Sequence, residues 1–265
     1  MNDNTDVVKR ELPDNADPVV DYTTAASQPG TLRGNANLVI QTRQAQRLVY
    51  GRKKTEDKAH ITGLVRFGMN MNRIWASAGR DDPYADWALL RIEETLTQAR
   101  ETVSQRQEDI ATRISNAAAG VEIEVAHSIK PVQVPLQFGN AYGYMGAYLI
   151  SDYDQLVRAI LTARFVGLIT YAKSTKTLHD TATQIRHAFG LSSMWKFTLV
   201  TRTDVLNNTP MALKAKDAMS KMGELPQNII DGSRRAQIAP EILSAKPTAT
   251  DETEPKVANP EPEEK

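Results

Sequence analysis

Asn37, Val39 and Gln41 stand at alternate positions of a short strand-like run, and together they could read duplex DNA. A side-chain amide pairs in two places with the edge of an adenine, and a valine packs against the methyl group of a thymine. The surrounding sequence supplies the charge such contacts need. Residues 33–66 carry eight Lys or Arg and two acids, Glu56 and Asp57, a net of +6 in a chain whose overall formal charge is zero. A concentrated basic stretch attracts polyanions. Arg33, Arg43, Arg47, Arg52, Lys53 and Lys54 would position phosphates rather than read bases. The start of the second helix, around Ile61-Thr62-Gly63, would present free N–H groups to a phosphate, which adds Thr62 to the phosphate-contacting residues. The plain alternative is an edge strand with polar residues toward water beside a solvated basic face.

Other chemistry finds less support. The chain contains no cysteine, which excludes disulfides, thiolate metal sites and cysteine nucleophiles. The four histidines are His60, His127, His179 and His187. The last two lie two helical turns apart, too far for one metal, and no carboxylate completes a site, so no metal is expected. G-x-S-x-G, H-E-x-x-H and G-K-[ST] are absent. The segment Phe138-Gly139-Asn140-Ala141-Tyr142-Gly143-Tyr144-Met145-Gly146 has the look of a phosphate loop, but its glycine spacing is not a dinucleotide fingerprint. Tyr142, Tyr144 and Tyr148 could stack bases. The commoner use of such a segment is a packed turn whose glycines admit rings to the core. No enzyme activity and no cofactor are expected, and a nucleotide-using enzyme is the third choice of function. No apolar run is long enough to span a membrane and the N-terminus lacks a signal-peptide pattern, so a cytoplasmic location is expected.

The elements that must position these residues follow from periodicity. Period-two alternation over 35–41 predicts a strand. Thr42 is placed to cap a helix over 43–50, with Gly51 as its terminator. A basic link leads to a second helix over 60–78. Asp82-Pro83 opens a long helix to about 115, in which Leu89, Ile92, Leu96, Ala99, Val103 and Ile110 form a seam broken by Arg106. Runs 121–126 and 132–137 alternate and suggest a hairpin, although Pro135 marks the second as an edge or extended segment. Further helices are expected over 153–169, 174–189 and 209–222, with a helical turn ending at Ile230. The fold class is therefore mostly α with a small β component (α+β). Four segments follow: an acidic, disordered tail 1–29; a strand-helix-helix module 30–80; a helical accessory or dimerisation domain 81–244; and a second acidic, disordered tail 245–265.

Strand, short helix and longer helix, basic at the joins, is the order of a ribbon-helix-helix module, in which two chains pair their strands into a ribbon for the major groove. The lone strand 35–41 has no obvious partner nearby in sequence, so a homodimer or larger assembly is expected to complete it.

Several strings add a resemblance. Leu32-Arg33-Gly34, the run from Leu38 to Leu48, Asp81-Asp82-Pro83-Tyr84-Ala85-Asp86-Trp87, Val134-Pro135-Leu136-Gln137-Phe138, Tyr144-Met145-Gly146-Ala147-Tyr148 and Met222-Gly223-Glu224-Leu225-Pro226 resemble a family encoded in integrating conjugative elements. More distantly, the chain is similar to the AcaB family of ribbon-helix-helix activators of conjugative-plasmid transfer genes. The resemblance covers most of 30–240. It implies a dimeric regulator that binds double-stranded DNA, with the transcription or transfer machinery as a further partner. The runner-up is a non-enzymatic accessory component of the transfer machinery.

Overall fold

Strand β1 (Ala36–Ile40) opens the described part of the chain, which in this computed structural model comprises residues 36–117 and 120–243. The acidic tails therefore lie outside the described residues. The alternation acts as expected: Leu38 and Ile40 are buried, while Asn37 and Val39 face out. The partner of β1 is the finding. Strand β2 (Val132–Leu136) pairs with it antiparallel, placing Val134 opposite Leu38, Gln133 opposite Val39 and Pro135 opposite Asn37. The pairing expected from a second chain is thus made within this one. The expected hairpin does not form, because 121–128 adopt no regular structure. Pairing with β1 brings Val134 and Leu136 into the core, whereas 121–126 present only half-buried or exposed residues. Pro135, which lacks an N–H, is tolerated because among the described residues the sheet has two strands, so β2 is an edge.

Helix α1 (Arg43–Tyr50) has the limits its sequence predicts. The Thr42 hydroxyl accepts from Ala45 N at 3.2 Å, and Gly51 turns away at φ 66°. Helix α2 (Leu64–Ala78) begins later than expected. Ile61 is occupied instead by a backbone bridge, with both N–H···O distances to Arg52 at 2.9 Å. Here Gly51 and Gly63 touch so closely that a β-carbon on Gly51 would lie 2.3 Å from the Ile61 oxygen.

Helix α3 (Pro83–Ala117) is the long spine. Its seam residues, Leu89 to Ile110, are buried against helices α4 (Ala141–Phe165) and α5 (Tyr171–Leu191). Arg106, which interrupts the seam, is accommodated by donating to the Thr181 hydroxyl on α5. Helix α4 starts at Ala141 rather than at 153. Its glycines are helical, not loop residues, and Asn140 caps the first turn. A β-carbon on Gly143 would lie 2.3 Å from the Phe138 ring, and one on Gly68 of α2 would lie 2.4 Å from it. The two glycines clasp that ring between two helices. Tyr142 is buried and donates to Glu93 at 2.9 Å, Tyr144 packs edge-on to Phe138, and only Tyr148 is exposed. The three tyrosines therefore form no common stacking surface.

The C-terminal part holds α6 (Arg202–Leu206), α7 (Pro210–Ala218), a 3-10 turn at Ser220–Met222, and α8 (Gln227–Ile230). The helix expected over 209–222 is thus split into α7 and the 3-10 turn. This region is tied to α3 by charge. The Asp86 carboxylate, fully buried, accepts two hydrogen bonds from Arg235 at 2.9 Å each and another from Arg202. Arg202 also donates to Asp81 and to the Ile229 carbonyl. One hydrophobic core runs from Leu38 through Ala236, continuous across residue 80.

Asp82 shows what burial costs a cap. Its carboxylate accepts from Tyr84 N at 2.9 Å, Ala85 N at 3.1 Å and the Trp195 indole at 3.3 Å. Burial pushes its carboxyl up to about 6, with the charge of Asp86 adding; the hydrogen bonds from Ala85, Trp195 and Tyr84 pull the other way. A carboxyl that holds its proton more tightly folded than unfolded stabilises the fold at low pH. That contribution is fully present below about pH 4 and is lost as pH rises through about 6, a loss of up to about 3 kcal/mol. Urea unfolding of the wild type and of Asp82→Asn is therefore expected to give a stability difference that moves by about 2–3 kcal/mol in favour of the variant between pH 4 and pH 7. A pH-independent difference would contradict the assignment.

Candidate nucleic-acid interface

The outward face of the two-stranded sheet is where the DNA-reading residues were expected. Asn37 is exposed and Val39 is 45% exposed. Opposite them stand Gln133 and Pro135, both exposed. Gln133 was not foreseen. Its outward phase is visible in the alternation of 132–136, but its place beside Val39 depends on a pairing that no local pattern announces. Gln41 lies at the end of this face and is half-buried. Its Oε1 accepts from Ser128 N at 3.0 Å, so the amide that a two-point contact with adenine requires is held by the backbone, with one lone pair of its oxygen engaged.

The sheet is aimed by one buried side chain. Asp154 of α4 accepts from the Gln41 N–H and the Thr42 N–H, both at 2.9 Å, and from the Thr42 hydroxyl at 2.6 Å. Two backbone donors and the cap of α1 thus converge on one carboxylate, which fixes the angle at which β1 turns into α1. Leu38 and Ile40 then anchor the inner face on the core.

The basic residues divide. Arg43 and Arg47 project from α1, and Lys53 and Lys54 from the following link; all four are exposed and none forms an ion pair among the described residues. Arg52 is turned back, its guanidinium donating twice to the Ala59 carbonyl at 3.2 and 3.1 Å. Thr62 is buried and its hydroxyl lies 3.1 Å from that of Ser193, so it is not displayed to a phosphate. Arg33 lies outside the described residues. An open face with two amides and an apolar side chain, followed in sequence by four exposed cations without an ion pair among the described residues, has the constituents of a groove-reading surface.

Elsewhere, no three His, Asp or Glu side chains gather as a metal centre would require among the described residues. No helix of the described residues is long and apolar enough to cross a membrane.

Comparison with known proteins gives a family. The family described as transcriptional regulator AcaB matches residues 28–243. The crystal structure of selenomethionine-containing AcaB from uropathogenic E. coli is similar at 12% sequence identity and a TM-score of 0.49, over 75% of this chain and 95% of that one. No curated protein matches the chain.

Proposed function

This chain belongs to the AcaB family of transcriptional regulators, and from that premise we propose that it regulates conjugative transfer genes of a mobile element by binding duplex DNA through the outward face of its β1–β2 sheet. The observation that carries the reading is the exposed row of Asn37, Val39 and Gln133, on a two-stranded ribbon of the size the major groove admits. Arg43, Arg47, Lys53 and Lys54 contact the backbone. Residues 30–80 together with β2 make the DNA contacts, and the remainder of 81–244 supports them and meets the transcription machinery. The second edge of β1 carries no strand among the described residues, so a second copy pairs there and sets two reading faces side by side. The in-chain pairing of β1 also favours a second reading, an accessory component of the transfer machinery that binds DNA without sequence preference.

Selection from a random DNA pool at physiological salt tests both. A motif is expected to emerge. On that motif Asn37→Ala and Gln133→Ala should each cost roughly 1–3 kcal/mol and narrow the gap to random DNA, with a smaller effect of Gln41→Ala because its amide is half-buried and held by the Ser128 backbone. Lys53→Ala should weaken both DNAs about equally and reduce the salt slope by about one. Light scattering should give twice the chain mass. If no motif emerges, or if the motif survives loss of both Asn37 and Gln133, the accessory reading replaces this one.

A further inference from the structure

On the side of α2 away from β2, a cleft of about 300 Å³ opens between that helix and residues 192–197. Its walls are cationic. Arg66 and Arg73, two turns apart on α2, and Lys196 across the opening all line it, and no acidic side chain among the described residues does. None of the three forms an ion pair among the described residues. Uncompensated guanidinium groups facing one concavity favour an anion with several oxygens.

The floor is polar and ordered. Asn70 Nδ2 donates to the hydroxyls of Ser192 at 3.1 Å and Ser193 at 3.3 Å, and the latter lies 3.1 Å from the Thr62 hydroxyl. Beside this floor, the Trp195 ring is held in place by its indole N–H, which donates to Asp82. Phe197 stands off it with ring centroids 6.2 Å apart and is 56% exposed at the cleft. An exposed aromatic ring next to an anion pocket offers a surface for a flat base.

We propose that this cleft binds a free nucleotide, its phosphate between Arg66, Arg73 and Lys196 and its base on the Phe197 ring. Duplex DNA fits less well, because a stacked base pair cannot offer its face to Phe197 while its phosphate enters a concavity. The volume is at the lower end of the range of small-ligand sites. The proposal does not rest on DNA reading by the sheet, and a bound nucleotide would touch the same helix α2 whose other side flanks β2.

Calorimetric titration of the full chain with AMP, GMP, adenosine and inorganic phosphate tests it. At least one nucleotide should bind roughly tenfold tighter than phosphate, and adenosine should bind far more weakly than AMP. Arg66→Ala combined with Arg73→Ala should weaken nucleotide binding at least tenfold. Phe197→Leu should abolish the advantage of nucleotide over phosphate and leave phosphate binding intact. These side chains are exposed, so melting temperatures should stay within about 2 °C of the parent. Absence of nucleotide binding at millimolar concentration would overturn the proposal. So would binding that survives the double variant, equal binding of adenosine and AMP, or occupancy of the cleft by oligonucleotides alone.

Discussion

Replacing Asp86 by alanine is expected to lower the stability of the fold by about 3–5 kcal/mol. Asp86 is fully buried and neutralises two arginines, Arg202 with only 9% of its side chain exposed and Arg235 with 22%. Without the carboxylate Arg235 keeps no ion-pair partner among the described residues and Arg202 keeps only Asp81, so much of the desolvation already incurred is no longer offset. The loss should be local first. Residues 202–239 meet α3 through this cluster, through apolar side chains such as Met222, and through the bonds from Arg91 to the Met222 carbonyl and from Gln237 N–H to Glu93; with the charged part lost, limited proteolysis of the variant should cut there before the rest of the chain opens. Arg234→Ala is the control. Its partner Glu94 and Arg234 itself are each 54% exposed, and removal should cost less than about 1 kcal/mol in urea unfolding. Equal effects of the two variants would show that the buried cluster holds nothing.

Asp154→Ala is the second large effect, expected at about 2–4 kcal/mol. It strips the acceptor from two backbone N–H groups and the Thr42 hydroxyl at the junction of β1 and α1. Asp154→Asn keeps one carbonyl oxygen and should recover part of the loss. The functional consequence separates from the thermodynamic one. If the sheet reads DNA as proposed, then at a temperature where circular dichroism shows the variant folded, binding should keep the salt-dependent part assigned to Arg43, Arg47, Lys53 and Lys54. On the same proposal, discrimination between the selected motif and random DNA should fall, because Asn37 and Val39 would no longer be presented at a fixed angle. Retained discrimination in a destabilised variant would mean that the sheet is not aimed by Asp154.

Local physics was legible in the sequence wherever local physics decides the outcome. The period of two over 36–40, the Thr42 cap and Gly51 stop of α1, the Asp82-Pro83 start of α3 and its apolar seam all lie in the structure where neighbouring residues place them. What could not be read depends on distant partners. β1 finds β2 only after α3 has turned the chain back, and neither strand carries a mark of the other. Gly143 and Gly146 suggest a loop until the ring of Phe138 and the side chains of Leu64, Phe67 and Phe189 are seen to need the space. No local pattern in the sequence marks Asp86 and Arg202 as the buried charged pair they form. For the candidate interface, Asn37 and Val39 were legible as outward residues, while Gln41 was diverted by the Ser128 backbone, Thr62 was buried by Ser193, and Gln133 was supplied by the far strand.

That separation of β1 from β2 has a consequence in time. A ribosome that has completed Ile40 must still make all of α1, α2 and α3 before Val132 appears, an interval of roughly 5–18 s at ordinary translation speeds. Throughout it the apolar side of β1, Leu38 and Ile40, has neither its neighbouring strand nor α4 to cover it, and its backbone edge is open to any other nascent strand. Chains released early, or truncated anywhere before Leu136, should therefore be captured by chaperones or aggregate, and should show no partial regulatory activity.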